Sequence, residues 1–189
     1  MIYLASASPR RAELLAQIGV EFEVRAADID ETRQPGESDR DYVCRLACEK
    51  AEHVAGLMSA EDPDYAILGA DTSISLDGDI IGKPADQAQC RCILGRLSGR
   101  EHRVLSAVAL ATPIGVDLRL SENIVRFRPL SADEIRLYCD SAEPMDKAGA
   151  YAIQGKAAIF IEHLEGSYSA VMGLPLFETA ELLRNIGLK

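Results

Sequence analysis

The sequence predicts an α/β fold, a mixed sheet with flanking helices. Segments with helical spacing alternate with apolar segments of strand length along nearly the whole chain. The first apolar segment runs directly into a helix, and no low-complexity stretch, linker or repeat interrupts the alternation.

Ile2 to Ser6 reads as a strand that turns at once into a helix: Ser8 stands at the cap, Pro9 suits the first helical position, Leu14, Leu15 and Ile18 share a face, and Gly19 ends it. Val20, Phe22 and Val24 alternate with charged residues as a half-exposed strand. The acidic loop from Asp28 to Arg33 and the Pro35-Gly36 turn lead to a longer helix from Ser38, with Tyr42, Val43, Leu46, Ala47, Val54 and Leu57 at helical spacing. Tyr65 to Ala70 reads as a buried strand delivering Asp71 at its end. Asp77-Gly78 makes a two-residue hairpin between Ile74 and Leu76 on one side and Ile80 on the other. A helix from about Ala85 to Leu97 precedes two long strands, Arg103 to Ala111 and Val116 to Arg128. Ser131 and Glu134 form a capping box for a helix running to about Asp140. A glycine-rich loop from Lys147 to Gly155, a strand from Ala157 to Ile161 and a last helix after Gly173-Leu174-Pro175 complete the chain.

Bulk properties narrow the function. With 189 residues and 48% hydrophobic composition, one compact domain over residues 1–189 is expected. A net charge of -10, 5% aromatic residues and no basic stripe argue against nucleic acid as a partner, so a polyanionic ligand needs a local basic cluster. Met1 to Ala5 does not read as a secretory leader, no apolar run reaches the roughly 20 residues that span a bilayer, and no membrane partner is expected. Five cysteines (Cys44, Cys48, Cys90, Cys92, Cys139) without framework spacing read mostly as small core residues in a reducing cytoplasm. Cys44 and Cys48 lie one helical turn apart, but two thiols are half of a structural zinc site and the three histidines are scattered.

The local basic cluster stands at the first strand-to-helix turn. Ser6, Ser8, Arg10 and Arg11 combine hydroxyls with forked guanidiniums that match phosphate oxygens, at a helix N-terminus suited to anions. Paired cations at the positive end of a helix dipole are unfavourable without an anion to offset them. Lys83 follows a turn as a point charge; the spacing from Gly78 to Gly82 and the proline after the lysine exclude a P-loop. Asp71, and the acidic loop with Asp28, Asp30 and Glu31, offer hard oxygen donors for Mg²⁺ or Mn²⁺, and Asp71 is also a candidate base for water. Solvated acidic loops and turn aspartates are common, so composition alone does not separate these roles. Lys147 and Gln154 bracket the glycine-rich loop; the Gln154 amide suits a nucleobase edge and Tyr151 reads as packing.

In order along the chain stand Leu4-Ala5-Ser6-Ala7-Ser8-Pro9-Arg10-Arg11, Asp30-Glu31, Glu49-Lys50-Ala51, Gly69-Ala70-Asp71-Thr72, Gly82-Lys83-Pro84, Lys147-Ala148-Gly149-Ala150-Tyr151, Ile153-Gln154-Gly155 and Gly173-Leu174-Pro175. This series resembles the Maf family of nucleotide pyrophosphatases over nearly the entire chain. The resemblance implies two lobes around a cleft, a fold like that of inosine triphosphate pyrophosphatases, and a homodimer. It implies that Asp71 is catalytic, that Ser6, Ser8, Arg10, Arg11, Lys50, Lys83 and Gln154 bind substrate, and that Glu31 and Asp71 serve a divalent metal cofactor. Arg10, Thr72 and Gln154 fall where the family sets specificity, and they match the branch acting on dTTP and UTP rather than the 7-methyl-GTP branch with Trp, Gln and Glu. Ala7 departs from the glycine or asparagine common there, without removing a polar group. The implied activity is hydrolysis of dTTP, UTP or modified pyrimidine triphosphates to the monophosphate and pyrophosphate; a non-catalytic nucleotide-binding regulator of cell division is the alternative.

Overall fold

The computed structural model describes residues 1–58, 64–141 and 143–187. Strand β1 (Ile2–Leu4) feeds helix α1 (Pro9–Gln17), and β2 (Phe22–Val24) returns beside it. The long helix α2 (Asp39–Met58) precedes β3 (Ala66–Leu76), β4 (Asp79–Ile81) and helix α3 (Gln87–Leu97). Strands β5 (Glu101–Thr112) and β6 (Gly115–Phe127) form a long hairpin, followed by α4 (Ala132–Cys139), β7 (Ile161–Glu165), a short α5 (Tyr168–Met172) and α6 (Leu176–Asn185). The sheet is mixed and runs β2-β1-β3-β5-β6-β7, with β4 on β3.

Both faces of the sheet are covered, which is why the central strands read as continuous apolar runs. Odd-numbered positions of β1, β3 and β5 (Tyr3, Ile67, Leu105, Ala107, Ala109) pack under α2 through Val43, Ala47, Ala51 and Val54. Even-numbered positions (Ile2, Leu4, Leu68, Ala70, Val108, Leu110) meet α1 and α6 through Leu14, Leu15, Leu182 and Leu183. A second lobe gathers on the far halves of the long strands, where Ile74, Leu76, Val104, Val125 and Phe127 pack with α3, α4 and Phe160.

The boundary between the lobes follows from the pairing of β3. Its first residues, Ala66 to Leu68, pair in parallel with β1, and its last, Ile74 to Leu76, pair antiparallel with β4 on that same side. The chain of β1 turns away into α1, so among the described residues no strand covers this edge of β3 between Leu68 and Ile74. A cleft opens there, at the kind of strand-order switch where α/β sheets place ligands.

Several sequence expectations are corrected. Asp71 lies in the middle of β3 rather than at a strand end, because β3 continues through Asp71-Thr72 to pair with β5 as far as Ser75. Ala157 to Ile161 is a 3-10 turn (Lys156–Phe160) with β7 starting at Ile161; Ala157 and Phe160 face the core at a three-residue spacing that an apolar run does not reveal. Leu57 is exposed rather than on the buried face of α2. Ser8 occupies the cap of α1, but its side chain makes no cap hydrogen bond. Cys90 and Cys139 are joined in a disulfide between α3 and α4, a pairing that follows from the packing of two helices 49 residues apart in sequence. Other local signals are realised: Asp77 and Gly78 take the positive φ of 55° and 86° that their two-residue hairpin requires, and Ser131 and Glu134 form both bonds of the capping box.

Gly69 sets how closely α2 approaches β3. A Cβ there would overlap the Ala47 carbonyl oxygen and lie 2.6 Å from the Ala51 nitrogen, both backbone atoms of α2. Backbone cannot yield as a side-chain end can, so Gly69→Ala must push α2 outward. The expected result in denaturant titration is a loss of about 1–3 kcal/mol; unchanged stability would contradict the close packing described here.

Candidate functional site

A cavity of about 570 Å³ fills the cleft. Ser6, Ser8, Arg10, Arg11, Glu31, Lys50, Asp71, Thr72, Lys83, Lys147 and Gln154 border it, whereas Asp28 and Asp30 of the acidic loop do not, which leaves Glu31 as that loop's one candidate at the cavity. Four different parts of the fold bring them together. The β1–α1 turn carries Ser6 to Arg11, α2 carries Lys50, β3 carries Asp71 and Thr72, and the second lobe contributes Lys83 and Gln154 from its loops.

The floor of the cleft is an ion triad built on a buried Lys50–Asp71 pair. Lys50 Nζ lies 2.7 Å from Asp71 Oδ1 and 2.6 Å from Glu31 Oε1, so one ammonium bridges two carboxylates. Lys50 and Asp71 are both buried, whereas Glu31 is exposed on its loop. Asp71 has an odd position on β3 and therefore faces α2, where Lys50 sits between Ala47 and Ala51 on the helix turn closest to the sheet. Partial burial pushes the Glu31 carboxyl up, but the Lys50 hydrogen bond and the charges of Lys50, Lys83 and Arg11 outweigh it and leave the group below its ordinary value. The Glu31 loop is pinned from α2: the Tyr42 hydroxyl donates to the Glu31 carbonyl at 3.1 Å, and Arg45 ties Thr32 and Glu37. Burial, followed by the negative charges of Asp71 and Glu31, holds the Tyr42 phenol above its ordinary value.

Arg11 crosses the cleft wall. Its Nε donates to the Gly173 carbonyl at 2.8 Å and its Nη1 to Ser6 Oγ at 3.2 Å, which fixes the plane of the guanidinium. Burial lowers the Arg11 pKa, and Asp71 and Glu31 oppose that effect. Arg10 stands 4.0 Å from Asp146 across the mouth. Lys147 is committed to the Glu143 carbonyl at 2.6 Å and to Asp146 at 2.5 Å. Gly149, at φ 67°, donates its N–H to the Gly82 carbonyl at 3.1 Å and so couples the glycine-rich loop to the Lys83 turn.

Tyr151 is packed, as the sequence predicts, and buried His102 anchors it: Nε2 and the Tyr151 hydroxyl are 2.8 Å apart, with Phe127 edge-on to both rings. Sequence reasoning missed Tyr42, Asp146 and the Gly173 carbonyl as parts of the site; only Gly173 carried a signal, through the Gly173-Leu174-Pro175 motif. Cys44 and Cys48 gain no third ligand, and among the described residues no group of three or more His, Cys, Asp or Glu forms a metal cage. Burial, then nearby Glu52, Cys44 and Glu49, push the Cys48 thiol up to about 11.

Fold and cleft define the class first: a two-lobed α/β protein whose central cavity sets cations of three separate elements around a pair of carboxylates. The fold is like that of the Staphylococcus aureus Ham1 protein, with a TM-score of 0.56 at 14% identity over 97% of this chain and 98% of that one. The family model described as Maf-like protein matches residues 1–186, and the chain belongs to that family. A protein of Aromatoleum aromaticum named dTTP/UTP pyrophosphatase is 57% identical over 198 residues, covering 98% of this chain and 95% of its own. Relatives of the same name from Hahella chejuensis (100% and 93% covered) and Colwellia psychrerythraea (98% and 88% covered) are 50% and 49% identical.

Burial pushes the His102 imidazole down from 6.5 to about 4, so between these values the unfolded chain binds a proton that the folded chain excludes. Its contribution to stability is therefore complete above pH 6.5 and is lost as the pH falls towards 4, by about 3 kcal/mol in all. Denaturant titrations between pH 7.5 and 4 should show this loss, and His102→Gln should flatten it; the same pH slope in both proteins would contradict the assignment.

Proposed function

We propose that this protein hydrolyses nucleoside triphosphates, dTTP and UTP ahead of others, to the nucleoside monophosphate and pyrophosphate. The observation that carries the reading is the meeting, in one cavity, of the Lys50–Asp71–Glu31 triad with Arg10, Arg11 and Lys83. The names of the relatives support the reaction and the substrate pair. Arg10, Thr72 and Gln154 all border the cavity, which supports their assignment as specificity residues.

A triphosphate brings several negative charges, and the chain's contribution is to hold them in place. Arg11 uses Nε and Nη1 to fix itself to the protein, and its remaining N–H donors serve phosphate oxygens; Arg10 and Lys83 close on the triphosphate from opposite lobes. Lys50 holds the Asp71 carboxylate in place at 2.7 Å and supplies a further charge to the phosphates. Water bonds to the α-phosphorus, the bond from that phosphorus to the oxygen bridging to the β-phosphate breaks, and pyrophosphate leaves with the electron pair. The proton lost by the water passes to Asp71, the catalytic carboxylate. Fixed cations meeting a charge that spreads over the phosphate oxygens supply most of the stabilisation.

A divalent cation, Mg²⁺ or Mn²⁺, belongs to the proposal. Two carboxylates that meet at the floor of the cleft offer the hard oxygen donors such an ion takes. Asp71 and Glu31 would hold it, and it would neutralise phosphate oxygens. A homodimer, expected from the family resemblance, acting in the cytoplasm, expected from the cysteine usage of the sequence, is part of the same proposal.

The test is a panel of nucleoside triphosphates, including 7-methyl-GTP and modified pyrimidines, incubated with Mg²⁺ or Mn²⁺ and resolved for all phosphate products. Monophosphate and pyrophosphate should form from dTTP and UTP above the rest. Asp71→Asn should lower kcat by about 100-fold or more while the protein still binds dTTP in calorimetry. Unimpaired turnover by that variant would remove Asp71 from its role, and nucleotide binding by the wild type without products would overturn the reaction itself.

A further inference from the structure

Thr72 of β3 and Ser106 of β5 are direct cross-strand partners, and their even positions turn both towards α5. Thr72 borders the cavity, while Ser106 is fully buried behind it. Ser106 Oγ lies 2.5 Å from the Ala170 carbonyl oxygen and 2.9 Å from Thr72 Oγ1. A carbonyl oxygen has no hydrogen to give, and two oxygens do not rest that close without one between them. The single hydroxyl hydrogen of Ser106 therefore points to Ala170. Towards Thr72, Ser106 can only accept, so the single hydrogen of Thr72 is committed to Ser106. The Gly173 carbonyl, 3.4 Å from Thr72 Oγ1, is too distant to compete for it. Thr72 is left with lone pairs alone for anything that enters the cleft.

We infer that Ser106, through this relay, fixes the Thr72 hydroxyl as a pure hydrogen-bond acceptor, and that this makes the cleft select a pyrimidine with a ring N3–H over cytosine. The inference rests on the pyrimidine triphosphate reading proposed above and adds a cause for its base preference. Thymine and uracil carry a hydrogen on N3, whereas cytosine carries a lone pair there. A hydroxyl free to rotate can satisfy either base by donating to one and accepting from the other. A hydroxyl held by Ser106 can pair only with the N–H and confronts the cytosine nitrogen lone pair to lone pair. Leaving a buried polar group unmatched is the strongest basis on which a site rejects a near-isosteric ligand. Ser106 touches no substrate atom in this account; it is a positioning residue that acts by polarity.

The experiment compares kcat/KM for dTTP and dCTP, read by pyrophosphate release, and calorimetric binding of dTMP and dCMP, in the wild type, Ser106→Ala, Thr72→Val and the double variant. Ser106→Ala should lower the dTTP preference roughly tenfold, about one hydrogen bond's worth, mainly through KM. Thr72→Val should lower it similarly, and the double variant should lose no more than Thr72→Val alone. Ser106→Thr, which keeps the hydroxyl, should retain the preference. An equal loss for both nucleotides in Ser106→Ala would assign Ser106 a purely structural role or place Thr72 against the sugar, and additive losses in the double variant would break the link between the two hydroxyls; either result overturns the relay. If the wild type releases no pyrophosphate from either nucleotide, the proposed reaction fails on its own, and the relay is judged on binding: a dTMP to dCMP ratio unchanged by Ser106→Ala overturns it.

Discussion

The Lys50 ammonium held between Asp71 and Glu31 is the interaction around which the rest of the molecule is arranged. Burying a charge costs several kcal/mol unless a partner lies at close range, and removing one member of a buried pair leaves the other uncompensated. Lys50 and Asp71 come from different elements, so their contact requires α2 and β3 to approach almost backbone to backbone. The sequence meets that requirement with small residues: Ala47 and Ala51 on the helix and Gly69 on the strand, two residues before Asp71. The exposed Glu31 completes the triad from a loop that Tyr42 and Arg45, both on α2, hold in place. One helix thus supplies the cation, fixes the distance to Asp71 and tethers the second carboxylate.

A second constraint lies in how β3 changes partners. Its parallel pairing with β1 and antiparallel pairing with β4 occupy opposite ends of one edge, and the open stretch between them carries Asp71 and Thr72. The alternation of a strand then separates two tasks. Asp71 faces α2 and the charged floor, while Thr72 faces Ser106, Ala170 and Gly173. On the Thr72 side, the Gly173 carbonyl accepts from Arg11 in the first turn of α1 and lies beside Thr72. The proposed catalytic and specificity residues are adjacent in sequence but point to different faces of the sheet.

Much of this was legible in the sequence. The order and type of most elements followed from periodicity, caps and turn residues, and Asp77-Gly78 and Ser131 with Glu134 behave as their local chemistry dictates. Most of the candidate residues, several of them named through the family resemblance, converge on a single cavity, and Asp28 and Asp30 stay outside it. What stayed hidden depends on tertiary neighbours. Asp71 read as a strand end because a carboxylate interrupts an apolar run, and its pairing with Lys50 of α2 makes it tolerable inside β3. Ser106 sits in an apolar strand with nothing to distinguish it until Thr72 and Ala170 stand beside it. Cys90 and Cys139 are too far apart in sequence for spacing to pair them, and the core repeat of Ala157 and Phe160 imitates a strand. Local signals reveal local structure; contacts between distant segments appear only when the chain is folded.

The proposed reaction is defined by the phosphorus that water attacks. Hydrolysis of dTTP in ¹⁸O-enriched water, followed by mass spectrometry of the products, reads that directly. Attack at the α-phosphorus places the label in the nucleoside monophosphate and leaves pyrophosphate unlabelled, which is the predicted result. Label in pyrophosphate, or in orthophosphate released beside a diphosphate, would move the reaction to another phosphorus and contradict the placement of the triphosphate between the triad and the arginines.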